Sequence, residues 1–138
     1  MTTARQIMTA LPEFVRPHHT VTEAARRMAV LGVGALPICG ADDRLLGIIT
    51  DRDIAVKVVA HGRDPKATWS GDLAQGQLIT IGPDEPVDRA PAIMATNQVS
   101  RLPVVDGERL VGIIARCDVA RAMPELAAGD LLAALPVS

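Results

Sequence analysis

Arg44-Leu45-Leu46-Gly47-Ile48-Ile49 returns 65 residues later as Arg109-Leu110-Val111-Gly112-Ile113-Ile114. Upstream of these runs, residues 21–37 match residues 87–103 at an offset of 66, with Val, Ala, Met, Ala, Val, Leu and Pro identical among 17 positions. The step from 66 to 65 places a one-residue slip between Asp42-Asp43 and Asp106-Gly107, in a turn, where duplicated units tolerate it. Downstream, Asp53 falls on Asp118 and Ala55 on Ala120; upstream, Pro17 falls on Pro83 and Ile7 on Leu73. The chain is therefore two copies of a unit of about 60 residues, too few for a solenoid. The copies are expected to occupy residues 1–65 and 66–123, with 124–138 as a tail, and to pack face to face around one shared core.

Each copy predicts the order β-α-β-β-α. Phe14-Val15-Arg16 and Leu78-Ile79-Thr80-Ile81 are short β-prone runs ended close by a proline. Thr20-Val21-Thr22-Glu23 has the capping-box pattern, and Val21, Ala24, Ala25, Met28 and Leu31 keep the spacing of one buried helical face up to Gly32. In the second copy Glu85 and Pro86 precede Val87, Ala90, Ile93, Met94 and Asn97, with proline expected at the first helical position. Residues 35–39 and 45–50 predict a strand pair around a polar turn, and residues 102–105 and 110–115 its counterpart. A second helix is expected from Asp51 to about His61-Gly62, its counterpart from Arg116 to before Pro124, a short helix over 70–74, and a closing helix over 125–135.

Composition limits the function. Of 138 residues 49% are hydrophobic and 22% charged, with 21 alanines and only Phe14 and Trp69 as aromatics, so the core must be aliphatic and no aromatic platform exists for single-stranded nucleic acid. A net charge of −2 removes the electrostatic footprint of a nucleic-acid binder. No apolar run is long enough for a membrane span and the N-terminus lacks a signal-peptide core, which predicts a cytoplasmic protein with no membrane partner. Cys39 and Cys117 sit among apolar residues and read as structural thiols. No nucleophile-and-base signature is visible, so the chain is expected not to be an enzyme. His18 and His19 are adjacent and would point apart, and His61 is distant, a poor spacing for zinc; a metal-binding variant through these three histidines is kept as an alternative.

Val33-Gly34-Ala35-Leu36-Pro37-Ile38 and Val99-Ser100-Arg101-Leu102-Pro103-Val104, each followed by Leu-x-Gly-Ile-Ile and an aspartate, resemble the cystathionine-β-synthase (CBS) domain family as a tandem pair, or Bateman module. The resemblance runs from Ala4 to Met123, and residues 34–40 with Thr50-Asp51-Arg52-Asp53 are similar to stand-alone actinobacterial CBS stress proteins. It implies an α/β (α+β) fold of two pseudo-symmetric repeats packed sheet to sheet. It also implies a regulatory module that takes an adenosine-containing ligand (AMP, ADP, ATP, S-adenosylmethionine or NAD(H)) in a cleft between repeats. No obligatory cofactor follows from it. A homodimer, an unidentified protein target and action in trans are expected; the alternative is a ligand-free stress-response interaction module.

The residues at the strand-to-helix junctions carry the implied site. Free amides at a helix start with the Thr50 hydroxyl suit a phosphate, and Asp53 one turn in can accept hydrogen bonds from two ribose hydroxyls. The plainer role for Asp53 is to complement the helix dipole. The second copy keeps Asp118 but has Ala115 in place of Thr50, so its hydroxyl is missing. Arg101, two residues before Pro103, stands where the family often places a basic residue on the phosphates, while the first copy has Ala35. Without a phosphate, Arg101 is expected to pair with Asp118 or Asp106; Arg116 and Arg16 are further candidates. The opposite divergence of the copies leads us to expect at most one competent cleft.

Overall fold

In a computed structural model, whose described residues are 2–10, 12–74 and 78–122, the repeated Leu-x-Gly-Ile-Ile stretch is the second strand of a hairpin in each copy. In the first, β2 (Ala35–Cys39) pairs antiparallel with β3 (Leu45–Thr50), the predicted bounds. In the second, β4 (Arg101–Asp106) pairs with β5 (Arg109–Ala115). Both ladders shift register at the same place, between Ile38 and Cys39 and between Val104 and Val105.

A single parallel bridge extends each hairpin, Val15 to Ile38 and Ile81 to Val104. The Val15 N–H donates to the Pro37 carbonyl at 2.9 Å and the Cys39 N–H to the Val15 carbonyl at 2.9 Å; Ile81, Pro103 and Val105 repeat this at 3.1 and 3.0 Å. This pattern asks no donor of Pro37 or Pro103, which is why a proline is tolerated inside a paired strand. The β-prone runs around residues 15 and 81 thus shrink to one bridged residue each.

α2 (Val21–Leu31) begins with the predicted capping box. The Glu23 N–H donates to the Thr20 hydroxyl at 3.2 Å and the Thr20 N–H to the Glu23 carboxylate at 3.1 Å. It ends at Gly32, with φ 68°, a left-handed turn that glycine adopts without a Cβ clash. The second copy differs from expectation at its start. Pro86 flanks a 3₁₀ turn over Val87–Arg89, and α4 (Ala90–Asn97) follows, because the Glu85 carboxylate turns back to accept the Gly82 N–H at 3.2 Å instead of capping forward. The helix after β3 also departs from a plain α-helix. α3 (Asp51–Asp53) widens into a π-helical stretch, Ile54–Val59, where the Ala60 N–H reaches the Ala55 carbonyl and the His61 Nδ1 lies 2.8 Å from the Val56 carbonyl. Its counterpart α5 (Arg116–Ala122) is α-helical throughout. The helix expected over 125–135 lies outside the described residues.

The buried side chains form two clusters at equivalent positions. Val15, Val21, Ala24, Met28, Leu36, Ile38 and Ile49 correspond to Ile81, Val87, Ala90, Met94, Leu102, Val104 and Ile114. Each unit has a core of its own, since each hairpin, helix and bridge closes over its own apolar face.

Among the described residues, one unit is built from the first copy, within Glu13–Leu78, and the other from the N-terminal leader together with 79–122. Short leaders explain this division. α1 (Ala4–Ile7) and the two-residue strand β1 (Thr9–Ala10) precede the first copy in sequence but pack on the second: β1 pairs antiparallel with β5 through Thr9–Ile113 and Ala10–Gly112. The equivalent leader of the second copy, the 3₁₀ turn Ser70–Leu73, belongs to the unit built by the first copy, where Leu73 joins the core. The repeat glycines make room for these leaders. A Cβ on Gly47 would fall 2.6 Å from the Ala74 Cβ, and a Cβ on Gly112 would collide with the Met8 side chain. Each repeat is thus completed by the leader of the other.

Candidate functional site

Each hairpin runs directly into a helix start, and an aspartate is fixed there. In the first copy the Thr50 hydroxyl oxygen accepts the Asp53 N–H at 3.0 Å, while Asp53 Oδ2 accepts the Thr50 N–H at 3.1 Å. This is a capping box with aspartate in the place of glutamate. Asp53 Oδ1 lies 3.3 Å from the Lys57 Nζ, four residues on. The box leaves the Thr50 O–H proton free of the cap, because the hydroxyl serves there only as acceptor.

The second copy keeps the carboxylate and loses the hydroxyl. Asp118 Oδ2 accepts the Ala115 N–H at 2.8 Å, and Asp118 Oδ1 pairs with the Arg121 guanidinium at 2.8 Å. The side chains of Asp53 and Asp118 are 23% and 19% exposed, against 41% for Lys57 and 74% for Arg121. Each carboxylate therefore has one oxygen pinned by backbone and the other opposite an exposed surface cation. Such exposed pairs contribute about 0–1 kcal/mol and exchange readily.

The predicted residues of the second copy meet at one corner. Arg101 is exposed and stands opposite Ala115 in the β4–β5 ladder, and the Arg116 N–H donates to the Ser100 carbonyl at 2.9 Å. The expected pairing of Arg101 with Asp118 or Asp106 is corrected. Asp118 takes Arg121, which one helical turn brings onto it more directly than the start of a strand can, and Asp106 stands opposite Arg109. Arg16 is a clasp on the β2–β3 turn. Its guanidinium donates to the Gly40 and Cys39 carbonyls, lies 3.5 Å from Asp43 Oδ1 and sits 4.7 Å over the Phe14 ring centroid. Lys57 and Arg121 were not singled out from the sequence; their signal was a cation four or three residues after a helix-start aspartate.

The two thiols differ. Cys39 is fully buried at the end of β2, and this burial, with Asp43 adding to it and Arg16 opposing, pushes its pKa up to about 11. Cys117 is exposed. A thiol probe at pH 8 is expected to label Cys117 promptly and Cys39 only on unfolding, since a pKa near 11 leaves roughly one thiolate in a thousand. Proton binding to Cys39 favours the fold, so stability is expected to fall as pH rises from about 9 towards 11. Cys39→Ala should flatten the melting temperature over that window; an unchanged slope would contradict it.

These features agree with known proteins. The sequence profile described as CBS domain matches residues 4–60 and 71–125, and the chain belongs to that family as a tandem pair with an α+β fold. It is 45% identical over 125 residues to hypoxic response protein 1 of Mycobacterium tuberculosis, covering 91% of this chain and 87% of the relative. The crystal structure of Hypoxic Response Protein I with two coordinated zinc ions is similar at a TM-score of 0.83 and 44% identity, over 89% of this chain and 100% of that one. The CBS domain pair of protein MJ0100 in complex with 5'-methylthioadenosine and S-adenosyl-L-methionine matches at a TM-score of 0.76 and 31% identity, over 88% and 98%.

Among the described residues no group of three or more His, Cys, Asp or Glu side chains is placed to hold a metal ion. His19 Nδ1 accepts the Arg16 N–H at 3.0 Å, and the His18 and His19 ring centroids are 5.1 Å apart. No helix among the described residues is long and apolar enough to cross a membrane.

Proposed function

We propose that this CBS pair is a regulatory module that binds an adenosine-containing ligand, with Asp53 or Asp118 accepting hydrogen bonds from the two ribose hydroxyls. The observation that carries this reading is the repeated aspartate. In both copies it stands three residues past the hairpin, with one oxygen held by the backbone and the other facing a displaceable cation. The 31% identical MJ0100 pair, crystallised with two adenosine compounds, supports the ligand class. Thr50 would donate its hydroxyl to a phosphate or equivalent acceptor in the first copy. In the second, Arg101 and Arg116 flank the corner and would supply the positive charge that Ala115 cannot. Bound ligand would favour one packing of the module over another and so alter a protein target, by differential affinity for the two states. The protein would act as a homodimer in the cytoplasm and carry out no reaction of its own.

Thermal unfolding with AMP, ATP, S-adenosylmethionine or NAD tests the reading. A ligand at 100 times its Kd stabilises by about 2.7 kcal/mol, which for a domain of this size raises Tm by several degrees. A rise with at least one adenosine compound is expected; no rise with any of them overturns the proposal.

A further inference from the structure

The two copies hold their aspartates with different cations, and the difference lies at the second site. Asp53 faces Lys57, whereas Asp118 faces Arg121 at 2.8 Å. At the positions equivalent to Arg121 and Ala122, the first copy has Val56 and Lys57. Beside the Asp118–Arg121 pair lies a depression of about 270 Å³ lined by Ile7, Asp118, Arg121 and Ala122, all within one unit. With the Ala115 N–H on Oδ2 and Arg121 on Oδ1, both oxygens of Asp118 are engaged.

A diol approaching Asp118 must compete with a guanidinium for Oδ1. An uncharged nucleoside that wins leaves Arg121 without its anion. A ligand that carries its own anion compensates this loss, because the guanidinium, already 74% exposed, can transfer from carboxylate to phosphate. We infer that Arg121 is a specificity-determining counter-ion that makes the second-copy site select a ribose bearing an anionic group over the neutral nucleoside. This inference rests on the proposed role of Asp118 and adds the charge class of its ligand.

The test is calorimetric titration of adenosine, AMP and inorganic phosphate into protein carrying Asp53→Ala, so that only the second site is read, with Arg121 either present or replaced by Gln. Arg121 is on the surface, and its replacement by Gln removes charge without disturbing the core. With Arg121 present, AMP is expected to bind at least roughly tenfold tighter than adenosine, and tighter than phosphate alone. Arg121→Gln is expected to bring AMP and adenosine within about threefold, by weakening AMP and tightening adenosine. An unchanged AMP-to-adenosine ratio in the Gln variant overturns the role of Arg121 while leaving the ribose site standing. Phosphate binding as tightly as AMP overturns the diol requirement. Binding of none of the three, with none in the otherwise unaltered protein either, overturns the ribose site and this inference together.

Discussion

Deletion of residues 1–10 is expected to strip hydrogen-exchange protection from β4, β5 and α4, while β2 and β3 keep theirs. The leader is part of the second core. Ala4 is fully buried there and Ile7 and Met8 pack against it. The Ala4 N–H donates to the Glu85 carbonyl at 2.9 Å, the Arg5 N–H to Pro83 at 2.8 Å and the Val87 N–H to Thr2 at 2.9 Å, and β1 pairs with β5. Losing the buried Ala4 and the half-buried Ile7 and Met8, the larger two at up to about 1.5–3 kcal/mol each, with the ladder bonds, predicts a loss of roughly 3 kcal/mol or more. That is a large share of a small domain's stability. Protection lost first from the β2–β3 hairpin, which follows the leader directly in sequence, would contradict the exchange of leaders.

Gly47→Ala is expected to destabilise more than Gly112→Ala, although the two glycines are equivalent in sequence. A Cβ at position 47 meets the Ala74 Cβ at 2.6 Å and its Cα at 3.1 Å, so the backbone itself must shift. At position 112 the nearest atoms are the Met8 Sδ and Cγ, which another rotamer can move, while the Met8 Cβ at 3.0 Å asks for a further shift of only a few tenths of an ångström. Overpacking of the first kind costs about 1–3 kcal/mol, and denaturant unfolding should show that cost for Gly47→Ala and a smaller one for Gly112→Ala. Equal losses, or the reverse order, would show that Ala74 does not cross Gly47 as described.

Much of the fold was legible because the duplication states it twice. The bounds of β2 and β3, the Thr20–Glu23 cap and the stop at Gly32 follow from local chemistry that nothing distant overrides. The exchange of leaders was not legible: Ala4–Ile7 spans one turn, and its periodicity cannot say which of two similar sheets it covers. The widening over Ile54–Val59 was hidden likewise, since a π-turn has no composition of its own. At the site, the aspartates were found by position in the repeat. Their cationic partners are not legible from the family pattern, which points to Arg101, because the helical spacing of Asp118 and Arg121 decides the contact.

In the proposed adenosine-ligand module the ribose-binding group is Asp53 or Asp118. Titration of AMP into the unaltered protein and into the Asp53→Ala/Asp118→Ala double variant, each verified as folded by circular dichroism, tests it most directly. Saturable binding is expected in the first and a loss of about a hundredfold or more in the second, the scale of two lost charge-assisted hydrogen bonds. Equal affinity in the two proteins would contradict it.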